Sequence, residues 1–386
     1  MTSLSKIKMK LTGYLSYIIS LFILPGVVSS CTTSGGNELE KGKEIKLSYA
    51  ENLKIEDFDG YTKIVLRNPW DTTKILQRLV LVEKDADIPT LSEGESLISV
   101  PLENTVVFSS IHNSLIEELG RATAVKGICD VPYIKDEKVT QRLSEGELVN
   151  CGSSMTPNFE RIVKLAPDAI LLSPYETGGV EGKFVKAGIP VVECPDYMES
   201  SPLGRAEWIK FFARLYGETE KGDSLFAETE KRYLKLKEAA AASDKKPKVL
   251  FDTMYGGSWS VPGGKSTIGK LIEDAGGINP FSYADVSGSL NLSLEKVLFE
   301  GGDSDVWFIR HAGRALTRSE LLKEKQGYGE IKAFKEGEVY ITDTTESGIF
   351  EDFAFHPDYL LSDLIELLHP ASETKAVKHY FRKVKD

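Results

Sequence analysis

Two glutamates occupy the same place in two copies of one phrase. Glu160 stands in Asn158-Phe159-Glu160-Arg161-Ile162-Val163, which passes through Ala166-Pro167-Asp168 into the apolar run Ala169-Ile170-Leu171-Leu172. Glu295 stands in Ser293-Leu294-Glu295-Lys296-Val297-Leu298, which passes through Asp303-Ser304-Asp305 into Val306-Trp307-Phe308-Ile309. An exposed carboxylate can steer and orient a basic partner by charge complementarity, and two at matched places define a docking geometry. One acid in a first helical turn would need no such role, because the helix macrodipole favours it there. The duplication is what points to docking.

A second group of residues could bind a ligand. Tyr133, Tyr175, Tyr197, Tyr255, Trp259 and Phe353 fall in or beside segments that read as loops, with His112, Arg310 and His311 as polar handles. Aromatic faces hold a large flat or amphipathic molecule by area, while arginine and histidine can meet anionic groups or a metal. Core packing is an equally ordinary use for any one of these rings.

Catalytic patterns are missing. The chain has no G-x-S-x-G nucleophile elbow and no H-E-x-x-H helix, which argues against an exported hydrolase. Gly263-Gly264-Lys265-Ser266-Thr267 suggests a phosphate loop, but Trp259 stands where that motif needs its first glycine. Direct zinc or manganese binding usually wants several histidines. The chain has five (His112, His311, His356, His369 and His379), and no Cys-x-x-Cys or Cys/His cluster.

These residues are carried by alternating strands and helices. Buried strands are expected at Thr105 to Phe108, Ala124 to Ile128, Ala169 to Leu172, Gly188 to Glu193, Lys248 to Asp252 and Val306 to Ile309, with amphipathic helices between them. That rhythm implies parallel sheets covered on both faces. Open α/β sheets bind ligands beyond the carboxyl ends of their strands. On the first lobe that edge holds Ser109 to Asn113, Asp130 to Tyr133, Pro174 to Gly179 and Pro195 to Ser201. The second lobe contributes Tyr255 to Trp259, Arg310 to Arg314 and Thr344 to Phe355.

Residues 204 to 243 break the rhythm. Arg205 to Tyr216 has helical spacing, and Glu220 to Ala242 continues without proline. A helix of about 24 residues spans roughly 36 Å, enough for a rigid strut between two lobes. The expected fold is α/β: two Rossmann-like lobes with parallel central sheets, joined by a long rigid helix, with an N-terminal β-extension. The expected divisions are 1–30 signal peptide, 31–45 lipid-anchored tether, 46–100 β-extension, 101–204 N-lobe, 205–246 linker and 247–386 C-lobe.

The N-terminus reads as an export signal. Lys6, Lys8 and Lys10 precede an apolar run that ends at Val28-Ser29-Ser30-Cys31, a lipobox-like site at which Cys31 would be acylated. Two or more acyl chains anchor a domain stably at a bilayer. The chain carries a formal charge of -11, and -14 once the three leader lysines are removed. That sign excludes nucleic-acid binding. Cys129, Cys151 and Cys194 remain, and export permits a disulfide, with Cys129 and Cys151 the pair nearest in sequence or each thiol simply buried.

Together the two Glu phrases, Leu165-Ala166-Pro167-Asp168-Ala169-Ile170-Leu171, Gly188-Ile189-Pro190-Val191-Val192 and the C-terminal His356-Pro357-Asp358-Tyr359-Leu360-Leu361-Ser362-Asp363-Leu364 resemble class III periplasmic binding proteins. These are the substrate-binding subunits of importers for iron chelates, haem and cobalamin. The resemblance covers roughly residues 100 to 386. It is nearest to lipoprotein members from Bacteroidetes, which carry a similar β-extension and a segment like Ser201-Pro202-Leu203-Gly204-Arg205-Ala206-Glu207-Trp208. It implies that Glu160 and Glu295 meet arginines of a membrane permease. It also implies a small-molecule metal chelate as cargo, no cofactor, no directly bound metal, and a monomer anchored in the envelope facing the periplasm. An iron chelate is expected ahead of cobalamin. A surface lipoprotein that sequesters ligand for an outer-membrane receptor is the alternative within the same architecture.

Overall fold

The duplicated phrase folds the same way twice. Asn158 caps the helix Phe159–Leu165 by accepting a hydrogen bond from the Arg161 amide at 3.0 Å, and Ser293 caps Leu294–Gly301 by accepting from the Lys296 amide at 3.3 Å. The first helix leaves through Ala166, held left-handed at φ 46°, and feeds the strand Ala169–Leu172. The second feeds the strand Val306–His311. The computed structural model describes residues 42–134, 136–176 and 178–386. The leader, Cys31 and most of the tether therefore lie outside the described residues.

The N-terminal extension is a five-stranded sheet of β1 (Lys43–Ile45), β2 (Leu53–Asp57), β3 (Tyr61–Arg67), β4 (Ile75–Glu83) and β5 (Glu95–Val100), in that order. Its pattern is half-buried: Leu53 and Ile55 face inward while Lys54 faces out. The inward face joins one core with Trp208, Phe211, Phe212 and Tyr216 and with N-lobe residues such as Val107 and Leu115.

The N-lobe sheet is fully parallel. Its strands are β6 (Thr105–Val107), β7 (Val125–Ile128), β8 (Val149–Asn150), β9 (Ala169–Leu172) and β10 (Val191–Glu193), ordered β10-β9-β6-β7-β8. The C-lobe is built on β11 (Val249–Phe251), with β12 (Met254–Tyr255), β13 (Ser258–Pro262) and β14 (Ser289–Leu292) forming a small antiparallel sheet. β15 (Val306–His311) and β16 (Val339–Asp343) continue β11 in parallel, and β17 (Arg382–Lys383) closes the edge antiparallel. The molecule is thus α/β with parallel-strand sheets and covering helices.

The linker differs from expectation at its start. In place of one helix there are two, Pro202–Ala206 and Ile209–Leu215, followed by Thr219–Ala241. The first begins early because the Ser201 hydroxyl caps it and Pro202 takes the N1 position. The long helix lies against Ile209–Leu215 at its beginning, where a Cβ on Gly222 would fall 2.3 Å from that of Ala213. Near its middle Thr229 and Arg232 meet His356 and Asp358, and Tyr233 donates to Asp274 at 2.6 Å.

Two buried carboxylates fasten the start of the described chain. Glu207 accepts from the amides of Ser48, Tyr49 and Ala50 at 3.0, 2.8 and 2.9 Å, and Glu199 accepts from those of Glu51 and Asn52 at 2.9 and 3.0 Å. Five consecutive backbone donors are satisfied this way, in an irregular segment that a sheet ladder could not serve.

Other expectations are corrected. Ser109 to Asn113 is not a loop: Ser109 caps a helix, Ser110–Glu118, by accepting from Ile111. Tyr255 to Trp259 forms a hairpin around Gly256 and Gly257, whose φ values of 58° and 93° suit glycine. Thr344 to Phe355 contains the helix Ile349–Phe355. Cys129, Cys151 and Cys194 are all free and buried, so Cys129 and Cys151 are not paired. The Gly-Gly-Lys-Ser turn keeps its groups to itself: Ser266 caps Thr267–Asp274, and a Cβ on Gly264 would lie 2.2 Å from the Ser282 carbonyl oxygen. No helix among the described residues is long and apolar enough to cross a membrane.

Candidate functional site

Parallel strands deliver their following residues to one edge of each sheet, and both edges open on a common trough. On the N-lobe, β6, β7 and β9 lead into Ser109-Ser110, Asp130 to Tyr133 and Ser173 to Tyr175, which line a hollow of about 500 Å³. On the C-lobe, β11, β15 and β16 lead into Asp252, Arg310-His311 and Thr344 around a hollow of about 800 Å³. A third hollow of about 290 Å³ forms the floor between them. It shares Ser110, Tyr133 and Ile134 with the first and Thr344 with the second, so the three are one trough. A larger hollow, about 920 Å³, lies between the β-extension and the start of the long helix. Its walls are paired charges such as Arg214 with Asp57 and Arg121 with Glu218, far from the strand ends that carry binding loops.

The floor joins the lobes directly. Ser110 Oγ, at the start of its helix, donates to Glu351 Oε1 at 2.7 Å, and Glu118 at the other end lies 2.7 Å from His356 Nε2. Behind them Phe212 meets the edge of Phe355 at 5.7 Å.

Three tyrosines stand out from the walls. Tyr133 is 75% exposed, Tyr175 49% and Tyr255, at the tip of its hairpin, 92%. Tyr197 is set behind the wall: its hydroxyl donates to the Pro174 carbonyl at 2.6 Å and so props the loop that carries Tyr175. Burial, together with neighbouring Tyr175 and Asp196, pushes that hydroxyl up to about 12.

Arg310 and His311 reach the trough, but Arg310 is already engaged. Its guanidinium makes a two-pronged bond to Asp252, with Nε to Oδ1 at 2.9 Å, and lies between the rings of Phe251 and Phe350. Burial works against its charge; Asp252 outweighs that effect and holds the pKa above its usual value.

Three expected site residues belong elsewhere. His112 is buried, with Nε2 2.8 Å from Asp196 Oδ1, and Asp196 also takes Arg205 Nε at 3.0 Å. Burial alone would raise the Asp196 carboxyl, and His112 and Arg205 outweigh it and hold it low. Trp259 is fully buried against Trp307 and Tyr328, its indole N–H donating to the Phe251 carbonyl at 2.9 Å. Phe353 is buried under Arg205 in the C-lobe core. Each sits one layer behind the surface, because its own element turns it inward. Among the described residues no group of three or more His, Cys, Asp or Glu is placed to hold a metal ion.

Two exposed apolar residues on the trough were not expected. Met155 lines the N-lobe wall and Phe350 the C-lobe wall. Phe350 had a readable signal: Ile349 and Phe350 are adjacent at a helix start and cannot share a face, so the buried Ile349 leaves Phe350 outside.

Glu160 and Glu295 are exposed, and neither has an ion-pair partner among the described residues. The Glu295 carboxyl is held below its usual range by its own backbone N–H and by Ser293. Each helix also shows an exposed apolar neighbour on the glutamate's side. Val163 follows Glu160 by three residues and Phe299, 85% exposed, follows Glu295 by four.

The sequence profile of the periplasmic binding protein family matches residues 110–345. An uncharacterized lipoprotein of Methanocaldococcus jannaschii is 28% identical over 365 residues, spanning 87% of this chain and 85% of that protein. Among solved structures, a periplasmic haem-binding protein from Roseiflexus sp. RS-1, in apo form, superposes with a TM-score of 0.57 at 22% identity, covering 70% of this chain and 98% of that one. The periplasmic vitamin B12 binding protein of Vibrio cholerae gives 0.54 at 15% identity over 70% and 98%. At these identities the two structures speak to the fold.

Proposed function

The chain belongs to the periplasmic binding protein family, and from that premise we propose that it is the substrate-binding lipoprotein of an ABC importer. It captures an iron chelate (siderophore or haem) or cobalamin between its lobes and delivers it, chemically unchanged, to a membrane permease. The observation that carries this reading is the placing of the exposed aromatics. Tyr133 and Tyr175 on one lobe and Tyr255 and Phe350 on the other are left in solvent around one trough. Folding of either lobe gains nothing from leaving them there, and a large partly apolar ligand would cover all four. Structural neighbours described as haem-, vitamin B12- and Fe3+-hydroxamate-related support the cargo class.

Delivery rests on Glu160 and Glu295, whose unpaired carboxylates sit on equivalent helices of the two lobes and face solvent for a basic permease surface. Acylation of Cys31 keeps the protein, as a monomer, near that permease. The test is to purify the mature domain from iron-limited cells and record its visible spectrum, then measure thermal shifts with haemin, cyanocobalamin and a ferric trihydroxamate. Colour or a shift with one of them is expected. A colourless protein that shifts with none would refute the cargo class. Loss of uptake on replacing both glutamates, with binding intact, would separate import from sequestration at the surface.

A further inference from the structure

The trough is poor in available positive charge. Two of its cations are neutralised within the protein: Arg310 is bound by Asp252 through two contacts, and Lys378 by Asp352. Lys325 sits on the rim of the C-lobe wall next to Glu324. What remains around the trough among the described residues is acidic. Asp130 and Glu181 line the N-lobe wall, and Glu117, Asp136, Glu346 and Glu351 line the floor. Glu346 and Asp136 are exposed to solvent, and no ion pair neutralises any of the six among the described residues. Asp130, Asp136, Glu181, Glu351 and Glu117 do accept hydrogen bonds, from the Ser154, Lys138 and Val139, and Gly179 amides, from the Ser110 hydroxyl and from the Asn113 side-chain amide. Those bonds fix the carboxylates in place and leave their charge uncompensated.

The aromatics point the same way. The face of an aromatic ring is the negative side of its quadrupole and attracts cations. Tyr133, Tyr175, Tyr255 and Phe350 therefore add to the field of the carboxylates. Resting on the cargo reading above, we propose that this site is built for a neutral or cationic chelate and rejects anionic ones. A trianionic ferric tricatecholate would meet, among the described residues, six carboxylates that no ion pair neutralises against a single unpaired lysine, Lys325, at the rim beside Glu324. A neutral or monocationic ferric trihydroxamate offers a similar size and metal without that repulsion. Haemin, whose two propionates are anionic, falls with the disfavoured class unless both reach solvent.

The test compares three ferric chelates on the mature domain: a neutral trihydroxamate, a monocationic trihydroxamate and a trianionic tricatecholate. Affinity is read by quenching of tryptophan fluorescence and checked by thermal shift. The neutral and cationic chelates should bind at least about tenfold tighter than the trianion at low salt, with the ratio shrinking in 0.5 M NaCl, where the screening length falls to roughly 4 Å from about 10 Å at 0.1 M. Glu117→Gln combined with Glu346→Gln should narrow the ratio, chiefly by tightening the trianion's binding. Trianion binding as tight as the others, or a ratio insensitive to salt, would overturn the charge rule and leave the importer reading standing. Silence with all three chelates, haemin and cyanocobalamin would overturn both.

Discussion

The exposed tyrosines give the sharpest test of where cargo sits, because the same substitution has opposite consequences in front of and behind the wall. A tyrosine side chain presents about 150–250 Å² of surface that can be buried. Tyr255 is 92% exposed, so nearly all of its surface remains to be covered by ligand. A chelate covering about 100 Å² of it, at about 25 cal/mol per Å², contributes roughly 2.5 kcal/mol. Tyr255→Ala should therefore raise Kd roughly 70-fold. Tyr133→Ala should follow closely. Tyr175, already half covered, has about half the area to give, and Tyr175→Ala should cost nearer tenfold. Tyr255→Ala and Tyr133→Ala should leave folded stability within about 0.5 kcal/mol, since both side chains touch little in the free protein. Trp259→Phe and Phe353→Leu should do the reverse, lowering Tm while leaving Kd within about twofold, because both side chains are core. The assay is isothermal titration beside thermal unfolding, using whichever of cyanocobalamin, haemin or a ferric trihydroxamate binds. If Tyr255→Ala binds normally while Trp259→Phe weakens binding, the trough is not the binding site.

Three further outcomes are expected. Replacing Glu160 and Glu295 by alanine should leave cargo affinity unchanged and abolish chelate-dependent growth, and Phe299→Ala should weaken coupling to the reconstituted permease by a further 5- to 10-fold or so, as a rim-to-core interface contact would; unchanged growth of the double variant would remove the docking role. Glu207→Ala strips the acceptor from three backbone amides, each such charge-assisted bond contributing about 1.5–3 kcal/mol, and entering water should limit the net loss to roughly 3–5 kcal/mol; a thermal melt and limited proteolysis near residues 43–57 check it. Burial, with neighbouring Glu181, pushes the Glu193 carboxyl up to about 7. The native state then holds a proton that the unfolded chain gives up near 4.5, so stability falls as pH rises between those values. Glu193→Gln should raise Tm more at pH 8 than at pH 5, and an equal effect at both would refute the assignment.

How much of this was legible in the chain follows from the range of the forces involved. The duplicated phrase could be read because its signals are local: Asn158 and Ser293 are capping residues, and four apolar residues after an aspartate make a buried strand. Parallel sheets followed from alternation, and the sheet edge that carries the trough followed from them. The trough lining was harder. Trp259 and Tyr255 lie four residues apart on one hairpin, yet one is core and the other solvent-exposed, because β13 packs Trp259 under Trp307 while the Gly256-Gly257 turn leaves Tyr255 outside. No local pattern separates them. Arg310 looked free for an anionic ligand until Asp252, 58 residues away in sequence, took the Nε–Nη2 edge of its guanidinium. The same holds for Glu199 and Glu207, whose partners lie about 150 residues upstream. Long-range polar pairing is fixed by the assembled fold, and composition carries no trace of it.

That pairing also decides how the lobes can move. A hinge needs segments whose backbone can rotate without breaking packed contacts. Here the long helix is held at its start by the close approach of Gly222 to Ala213, and further along by Arg232 with Asp358 and Tyr233 with Asp274. The floor adds Ser110 with Glu351 and His356 with Glu118, both spanning the lobes. A wide closure would have to break a buried histidine contact and slide Phe212 past Phe355. The Tyr255 tip is under no such restraint, since it rides on a two-glycine turn, whereas the Tyr175 loop is propped from behind by Tyr197. On the proposed function, capture would then fall chiefly to the Tyr255 hairpin tip on a fixed frame. If Glu160 and Glu295 dock as proposed, their separation would change little on loading, and a permease that tells loaded from empty protein would have to sense the trough mouth as well.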